Sequence, residues 1–312
     1  MKPESNQTFT GPVISVDKLI VNYDEFKAVD EISFHVHPGE IFGLLGPNGA
    51  GKTSTLECME GIRQRTSGSI KILGEDPKTN FRQLRNLIGV QLQSSGLPNT
   101  MTVEEAIRFF CTYHQVAVDY SLVERFGLTE KRKVQYSSLS AGLQRRLVLA
   151  LAMVHKPRVI FLDEPTAGLD VHSRVELHQI MNELRGNATS IILATHDMAE
   201  AEKMADRVAI LLKGRIVSTG TPRALTLSGS ELTKIMVNTA NNCLGKNQSI
   251  FPGVLSSDFG EDYATYFTAT PGPTVAALIS EIEFRGDTLI DLRVVRPSLE
   301  ERFLEITQTK NN

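Results

Sequence analysis

The chain reads GPNGAGKT from Gly46 to Thr53. This stretch fits the pattern GxxxxGK followed by Ser or Thr, and it lies between an apolar run and a stretch with helical periodicity. That order of elements turns backbone N–H groups and the positive end of a helix toward one point, which is what phosphate oxygens need. The sequence therefore predicts a nucleoside triphosphate site. Its predicted binding residues are Gly46, Pro47, Asn48, Gly49, Ala50, Gly51, Lys52, Thr53 and Ser54.

A second motif, VIFLDE at Val159–Glu164, is an apolar run that ends in two acids. On its own it would be an ordinary solvated strand end, but it follows the phosphate-binding loop by about 100 residues. In that setting Asp163 is expected to hold Mg²⁺ together with the hydroxyl of Thr53. Glu164 is expected to deprotonate an attacking water, while Lys52 bridges the terminal phosphates. The two motifs together predict hydrolysis of the nucleotide.

The composition excludes several classes of protein. The 312 residues include 33 basic and 36 acidic side chains, and the net charge of −3 lacks the basic surplus expected of a nucleic-acid-binding protein. The longest apolar run, Leu147–Val154, is far shorter than the about 20 residues that cross a bilayer. The polar N-terminus lacks the apolar core of a signal peptide. Three widely spaced cysteines indicate reduced thiols in the cytoplasm, not disulfides or zinc.

Short apolar runs alternate with helical stretches between residues 13 and 225, which predicts an α/β domain with a largely parallel sheet. Residues 1–12 are expected to be a flexible tail, residues 226–230 a linker, and residues 231–312 a small α+β domain. Buried strands are predicted at Ile41–Leu45, Val159–Leu162, Ser190–Ala194 and Val208–Leu212, and further strands at Lys234–Asn238, Ala264–Ala269 and Thr288–Val295. Helices are predicted from Thr102 to about His114, over Val171–Arg185 with Gly186 as its end, over Thr274–Phe284, and after Ser298.

Between the two motifs lies LSAGL, Leu139–Leu143, which resembles the LSGGQ signature of ATP-binding-cassette (ABC) ATPases. Other marks of that family occur in the same order, and the resemblance covers residues 14–225. It implies a P-loop NTPase core with a helical subdomain at about residues 94–138 and an antiparallel β element. With the C-terminal residues, the predicted fold class is α/β with a small C-terminal α+β domain.

The resemblance also implies roles for four further residues. Tyr23 would stack on adenine, and Gln93 would bind Mg²⁺ and sense the γ-phosphate. His196 would hydrogen-bond the γ-phosphate and steady the catalytic water, and Asp170 would contact the phosphate loop of a partner subunit. Each residue also has a purely structural interpretation, such as a helix N-cap for Asp170.

The signature departs from the family pattern at two positions, since Ala141 replaces a glycine and Leu143 a glutamine. In the family, the serine hydroxyl and the second glycine N–H meet the γ-phosphate of ATP bound to the other subunit. Ser140 and Gly142 retain these donors, so this phosphate contact is expected to survive. Because the signature acts on the other subunit, a dimer is expected. A homodimer is favoured, and a heterodimer with a second ABC subunit is the alternative.

The family resemblance implies an ATPase subunit that powers a separate membrane permease from the cytoplasmic face of the membrane. Residues 94–98 would lie at the surface that receives the permease. The ending at residues 295–307 and the hairpin Val208–Gly220 are similar to the exporter branch for drugs, antibiotics and sodium. Two alternatives stay open: a non-transport ABC ATPase, and a module that senses ATP without hydrolysing it. Glu164 separates the last alternative from an ATPase, because only hydrolysis requires a base there.

Overall fold

A sheet of mostly parallel strands carries the phosphate-binding loop. The computed structural model describes residues 11–91, 96–227, 232–244, 251–260 and 262–309. The chain divides into two units, Met1–Pro222 and Arg223–Asn312. In the first unit, the described strands are β1 (Ile14–Tyr23), β2 (Phe26–Val36), β3 (Ile41–Leu45), β4 (Ser67–Ile72), β5 (Ile88–Gln91), β6 (Val159–Asp163), β7 (Ser190–Thr195), β8 (Arg207–Leu212) and β9 (Arg215–Gly220). The described helices of this unit are α1 (Lys52–Met59), α2 (Phe81–Leu84), α3 (Val103–Tyr113), α4 (Tyr120–Arg125), α5 (Ala141–Met153), α6 (Val171–Gly186) and α7 (Met198–Met204), and α8 (Pro222–Leu227) begins at its end.

The main sheet has the order β5-β6-β7-β3-β8-β9, and β9 is its antiparallel strand. Every residue of β3, β6 and β7 is buried, as expected of parallel strands that are covered on both faces. This result confirms the predicted α/β class. The carboxyl ends of β3, β6 and β7 meet at one edge, so the residues that follow them are brought together.

A second, antiparallel sheet has the order β2-β1-β4. Its apolar side chains share one core with the main sheet, including Ile14 and Val29 from this sheet and Phe42 and Phe161 from the main sheet. This sheet is the antiparallel β element that the family resemblance implied.

Local sequence signals set the ends of several elements. The Thr102 hydroxyl accepts from the Glu105 N–H, and the Glu105 carboxylate accepts from the Thr102 N–H, so the predicted capping box starts α3. The hairpin of β8 and β9 turns at Lys213 and Gly214, which both have positive φ (50° and 78°). Positive φ at both turn residues gives the strand twist that two-residue hairpins require.

The predicted helix Val171–Arg185 is one residue longer in the structure. Gly186 is the last residue of α6, and Asn187 caps the helix instead. The chain then leaves through Ala188, whose φ is 62°. The left-handed residue that closes the helix is thus an alanine, which no propensity rule predicts.

The second unit contains a four-stranded antiparallel sheet with the order β11-β12-β10-β13 in its described part. Leu278 and Ile282 of its long helix pack against Ile235, Val237 and Tyr266 in the core of this unit. The elements are β10 (Thr233–Thr239), β11 (Val254–Phe259), β12 (Ala264–Thr268), α9 (Pro271–Phe284), β13 (Leu289–Val295) and α10 (Leu299–Thr309). The sequence analysis did not predict β11, half of whose residues are polar and almost all of which are exposed.

No helix in the described ranges combines the length and the apolar character needed to cross a bilayer. The expected tail, residues 1–12, lies almost entirely outside the described residues.

Candidate functional site

The phosphate-binding loop joins the end of β3 to the start of α1. Gly51 caps α1 in the left-handed region, with φ of 103°. A Cβ at this position would lie 2.5 Å from the carbonyl oxygen of Ala28, so only glycine fits. The first N–H groups of α1 have no partner within the helix and can donate hydrogen bonds to an anion.

Lys52 lies at the floor of the loop and is 5% exposed. Its Nζ donates to the carbonyl oxygens of Gly46 (2.7 Å) and Pro47 (3.3 Å), and it lies 3.5 Å from Oε1 of Glu164. The ammonium group is thus held within the loop, next to the predicted base.

Thr53 and Asp163 meet although they are far apart in sequence. The Thr53 hydroxyl donates to Oδ2 of Asp163 at 2.9 Å. Oδ1 of Asp163 is buried and has no hydrogen-bond partner in the described part of the chain. Burial raises the pKa of the Asp163 carboxyl, and the charge of Glu164 adds to this effect. A buried carboxylate oxygen without a partner, beside a hydroxyl, fits a hard cation such as Mg²⁺.

Among the described residues, no cluster of three or more His, Cys, Asp or Glu side chains could hold a metal. Mg²⁺ in proteins commonly has only one or two carboxylate ligands and completes its coordination with phosphates and water. Gln93, the third predicted metal ligand, lies outside the described residues.

Glu164 and His196, which the sequence analysis predicted to be catalytic, lie in direct contact. Nδ1 of His196 lies 2.8 Å from Oε2 of Glu164. The backbone of Glu164 has a positive φ of 49°, and its N–H donates to the Ala194 carbonyl on the neighbouring strand. Non-glycine residues rarely adopt this conformation, and it is concentrated at functional sites. The carboxylate is nearly buried, whereas the imidazole is 56% exposed.

Tyr23 lines a pocket that Lys52, Thr53 and Glu164 also line and that has a volume of about 550 Å³. Its hydroxyl is 3.0 Å from the hydroxyl of Ser54. The Arg63 guanidinium lies 4.2 Å from the centroid of the Tyr23 ring and is held by Glu57. Arg63 is not among the residues that line the pocket, and its contact with the ring is a cation–π interaction.

The sequence analysis missed two residues that lie next to Tyr23, namely Phe26 and Arg63. Phe26 is 63% exposed, lines the pocket and pairs with Tyr23 across the turn between β1 and β2. Recognition of that hairpin would have placed the two rings together. Arg63 gave no sequence signal, because its position depends on how α1 and β1 pack.

The signature residues do not line this pocket. Ser140 is the N-cap of α5, and its hydroxyl accepts from the N–H of Leu143 at 3.3 Å. Asp170 is the N-cap of α6 and accepts from the N–H and the hydroxyl of Ser173. A Cβ on Gly142 would lie 2.3 Å from that same hydroxyl, so the two helix starts are in contact. Ser140 and Asp170 are thus exposed caps of two adjoining helices, with the buried Gly142 beside them, and none of the three lines the pocket of the phosphate loop.

A largely apolar groove of about 660 Å³ lies on another face of the same unit. Of the residues predicted to meet a permease, Gly96, Leu97 and Pro98 line it, whereas Ser94 and Ser95 lie outside the described residues. Exposed rings at its rim include Phe81 and Phe109. Clustered exposed aromatic side chains are typical of a binding surface.

The sequence and the fold of this chain are similar to those of the ATP-binding proteins of ABC transporters. The sequence profile of the ABC transporter family matches residues 29–167. Nod factor export ATP-binding protein I from Burkholderia pseudomallei (strain 1710b) is 40% identical over 209 residues, covering 65% of this chain and 69% of that protein. The probable multidrug ABC transporter ATP-binding protein YbhF from Escherichia coli (strain K12) is 36% identical over 216 residues, covering 67% of this chain and 37% of that protein.

Solved structures agree with the sequence comparison. One, described as the ATP-binding subunit of an ABC transporter, has a TM-score of 0.64 at 26% identity and covers 68% of this chain and 91% of its own. CbiO1 from Clostridium perfringens, part of the ABC transporter complex CbiONQ, has a TM-score of 0.63 at 26% identity and covers 70% of this chain and 91% of its own.

Proposed function

Because the chain belongs to the ATP-binding proteins of ABC transporters, we propose that Lys52, Glu164 and His196 hydrolyse ATP to drive export of a small molecule through a separate permease. The contact that carries this proposal is the 2.8 Å pair of Glu164 and His196, with Lys52 3.5 Å from the same carboxylate. The contact of one carboxylate with an imidazole and an ammonium group supports the roles of base, positioning partner and phosphate-binding cation. The relatives named for Nod factor export and multidrug transport favour export over import.

In the proposed reaction, ATP + H₂O → ADP + phosphate, Lys52, Glu164 and His196 each have a separate role. Lys52 exchanges the carbonyl oxygens of its own loop for terminal phosphate oxygens, and its charge stabilises the negative charge that develops there. Glu164 orients a water and accepts its proton as the oxygen attacks the γ-phosphorus. His196 fixes the orientation of the carboxylate and can donate to a γ-phosphate oxygen.

Thr53 and Asp163 are the residues that would hold Mg²⁺. The ion would neutralise charge on the β- and γ-phosphates. Gln93 remains a proposed third ligand on the basis of the family resemblance alone.

Tyr23 is expected to supply most of the affinity for the base. Tyr23→Ala should weaken ATP binding about 5- to 100-fold, because stacking of one base is worth about 1–3 kcal/mol. Binding of inorganic tripolyphosphate, which has no base, should stay unchanged. Fluorescence competition with both ligands measures this difference.

Two further variants separate stacking from the other contacts of the ring. Tyr23→Phe removes only the contact with Ser54 and should retain most of the affinity. Arg63→Gln removes the cation that contacts the ring and should weaken ATP binding about 2- to 5-fold. An equal loss of tripolyphosphate affinity in Tyr23→Ala would show that the residue supports the loop and not the base.

We assign the surface formed by the exposed Ser140 and Asp170, next to the buried Gly142, to a dimer interface. On this surface the donors and the carboxylate lie away from the phosphate pocket of their own chain, so a second chain is needed to use them. Two copies related by a two-fold axis complete both sites, and we favour this homodimer over a heterodimer.

The dimer is expected to require ATP. The Glu164→Gln chain with ATP and Mg²⁺ should show twice the mass of the nucleotide-free chain by light scattering. Ser140→Arg should block the mass increase while ATP binding continues. If the Glu164→Gln protein binds ATP but stays monomeric, both alone and in the presence of its permease, this assignment is contradicted.

The first unit is the proposed motor, and residues 231–312 are a proposed accessory domain. The motor would lie at the cytoplasmic face of the membrane, where the apolar groove receives a permease segment. Identification of the membrane protein that copurifies with the chain tests this arrangement and names the transported class.

A further inference from the structure

The groove contains one buried acid that the proposed chemistry does not use. Glu60 follows α1 directly, and its N–H donates to the Leu56 carbonyl at 2.8 Å. The residue is 2% exposed and lines the groove. Its Oε2 is fully buried, and within the described ranges the carboxyl has no hydrogen bond or ion pair.

A buried carboxyl without a partner is uncommon. It destabilises the folded protein, because the group has lost its hydrogen bonds to water and forms none with the protein. Burial raises the pKa of Glu60 to about 8, with the charges of Asp163 and Glu57 adding to the effect. The Glu60 carboxyl can thus accept or donate a proton within the groove, and no contact of the described residues accounts for its presence there.

The other described residues of the groove do not provide Glu60 with a hydrogen-bond or ion-pair partner. Arg85 lies 5.7 Å from the ring centroid of Tyr113, and its Nε is also buried without a partner among the described residues. His114 and His155 stack with ring centroids 3.8 Å apart. Burial and the neighbouring His155 lower the pKa of His114 to about 4, so this ring is uncharged at neutral pH. The remaining lining is mostly apolar, with exposed rings at the rim.

Resting on the proposed coupling to a permease, we propose that Glu60 is the polar anchor of this groove and receives a Lys or Arg side chain from the apolar face of a short permease helix. The apolar lining accepts the helix, and the single acid fixes its register, since a basic group elsewhere on that face would be buried unpaired. This anchor lies directly at the end of the helix that begins with the phosphate loop. The eight residues of α1 therefore connect the two sites over about 12 Å.

Designed helical peptides test the anchor with the full-length chain. Each labelled peptide has an apolar face of leucines, with one lysine placed at each position of that face in turn, and its twin has norleucine there. Fluorescence anisotropy should show at least one lysine peptide that binds wild type about tenfold or more tightly than its twin. Phe109→Ala should weaken both twins, because it removes an aromatic wall of the groove.

Variants of Glu60 decide the outcome. Glu60→Leu should abolish or reverse the preference for lysine, and Glu60→Gln, which keeps an acceptor without the charge, should reduce it. Circular dichroism checks folding, and if Glu60→Leu does not fold, Glu60→Gln carries the test. The absence of peptide binding, an equal affinity of the twins for wild type, or an undiminished lysine preference in the folded variants would overturn the anchor.

ATP hydrolysis is measured on the same samples of wild-type protein. A wild type that hydrolyses ATP but shows no lysine preference overturns the anchor and leaves the proposed ATPase intact. A wild type that does not hydrolyse ATP overturns the proposed function, whatever the peptides do.

Discussion

Replacement of Glu164 by Gln is expected to lower the rate of ATP hydrolysis by about 10²- to 10⁴-fold, because the amide cannot accept the proton of the attacking water. The substitution keeps the size of the side chain, so the contact with His196 and the left-handed backbone are retained. ATP affinity should therefore change little. Phosphate release under single-turnover conditions measures the rate, and nucleotide binding measures the affinity.

His196→Gln is the matched comparison. It should lower the rate less strongly, because the imidazole positions the carboxylate and does not accept the proton. The two effects should not add in the double variant, since both residues act through the same carboxylate. If Glu164→Gln hydrolyses ATP at the wild-type rate, Glu164 is not the base, and a module that only senses ATP becomes the better description.

Lys52→Ala should remove ATP turnover and weaken ATP binding strongly. The change deletes the buried cation that Gly46, Pro47 and Glu164 now hold, and it leaves the Glu164 carboxylate without its positive neighbour. By comparison with other charge-stabilising groups, the loss in rate should be at least about 10²- to 10³-fold.

Two controls separate charge from packing at this position. Lys52→Met keeps the volume of the stem and should be as inactive as Lys52→Ala, while its thermal stability stays closer to wild type. Lys52→Arg keeps the charge but does not fit the 5% exposed site, so it should not restore turnover. Substantial activity in Lys52→Met would exclude the assigned role of the ammonium group.

Much of the catalytic pocket could be predicted from sequence because parallel strands align their ends. Asp163 pairs in register with Ala194, so residues that follow these strands must meet, including Glu164 and His196. The same reasoning joins Thr53 to Asp163, since the loop after β3 ends at the same edge. Local motifs fix the ends of the strands, and the sheet then sets the distances.

Other features could not be predicted because they depend on packing between distant elements. The contact of Arg63 with Tyr23 and the isolation of Glu60 both follow from where α1 lies, and neither has a sequence pattern. Ala188 closes a helix in a conformation that glycine usually supplies. The roles of Ser140 and Asp170 stay predictions, because one chain contains only half of the expected interface.

The strand order also dictates when the protein can become active during its synthesis. The strand that carries the phosphate loop, β3, lies between β7 and β8, which follow it by more than 140 residues. A nascent chain released before residue 190 exposes both edges of β3 and lacks the scaffold for Glu164 and His196. Such fragments are expected to be prone to aggregation and unable to use ATP as a stabilising ligand. Nucleotide can select correctly folded molecules only after about two thirds of the chain has been made.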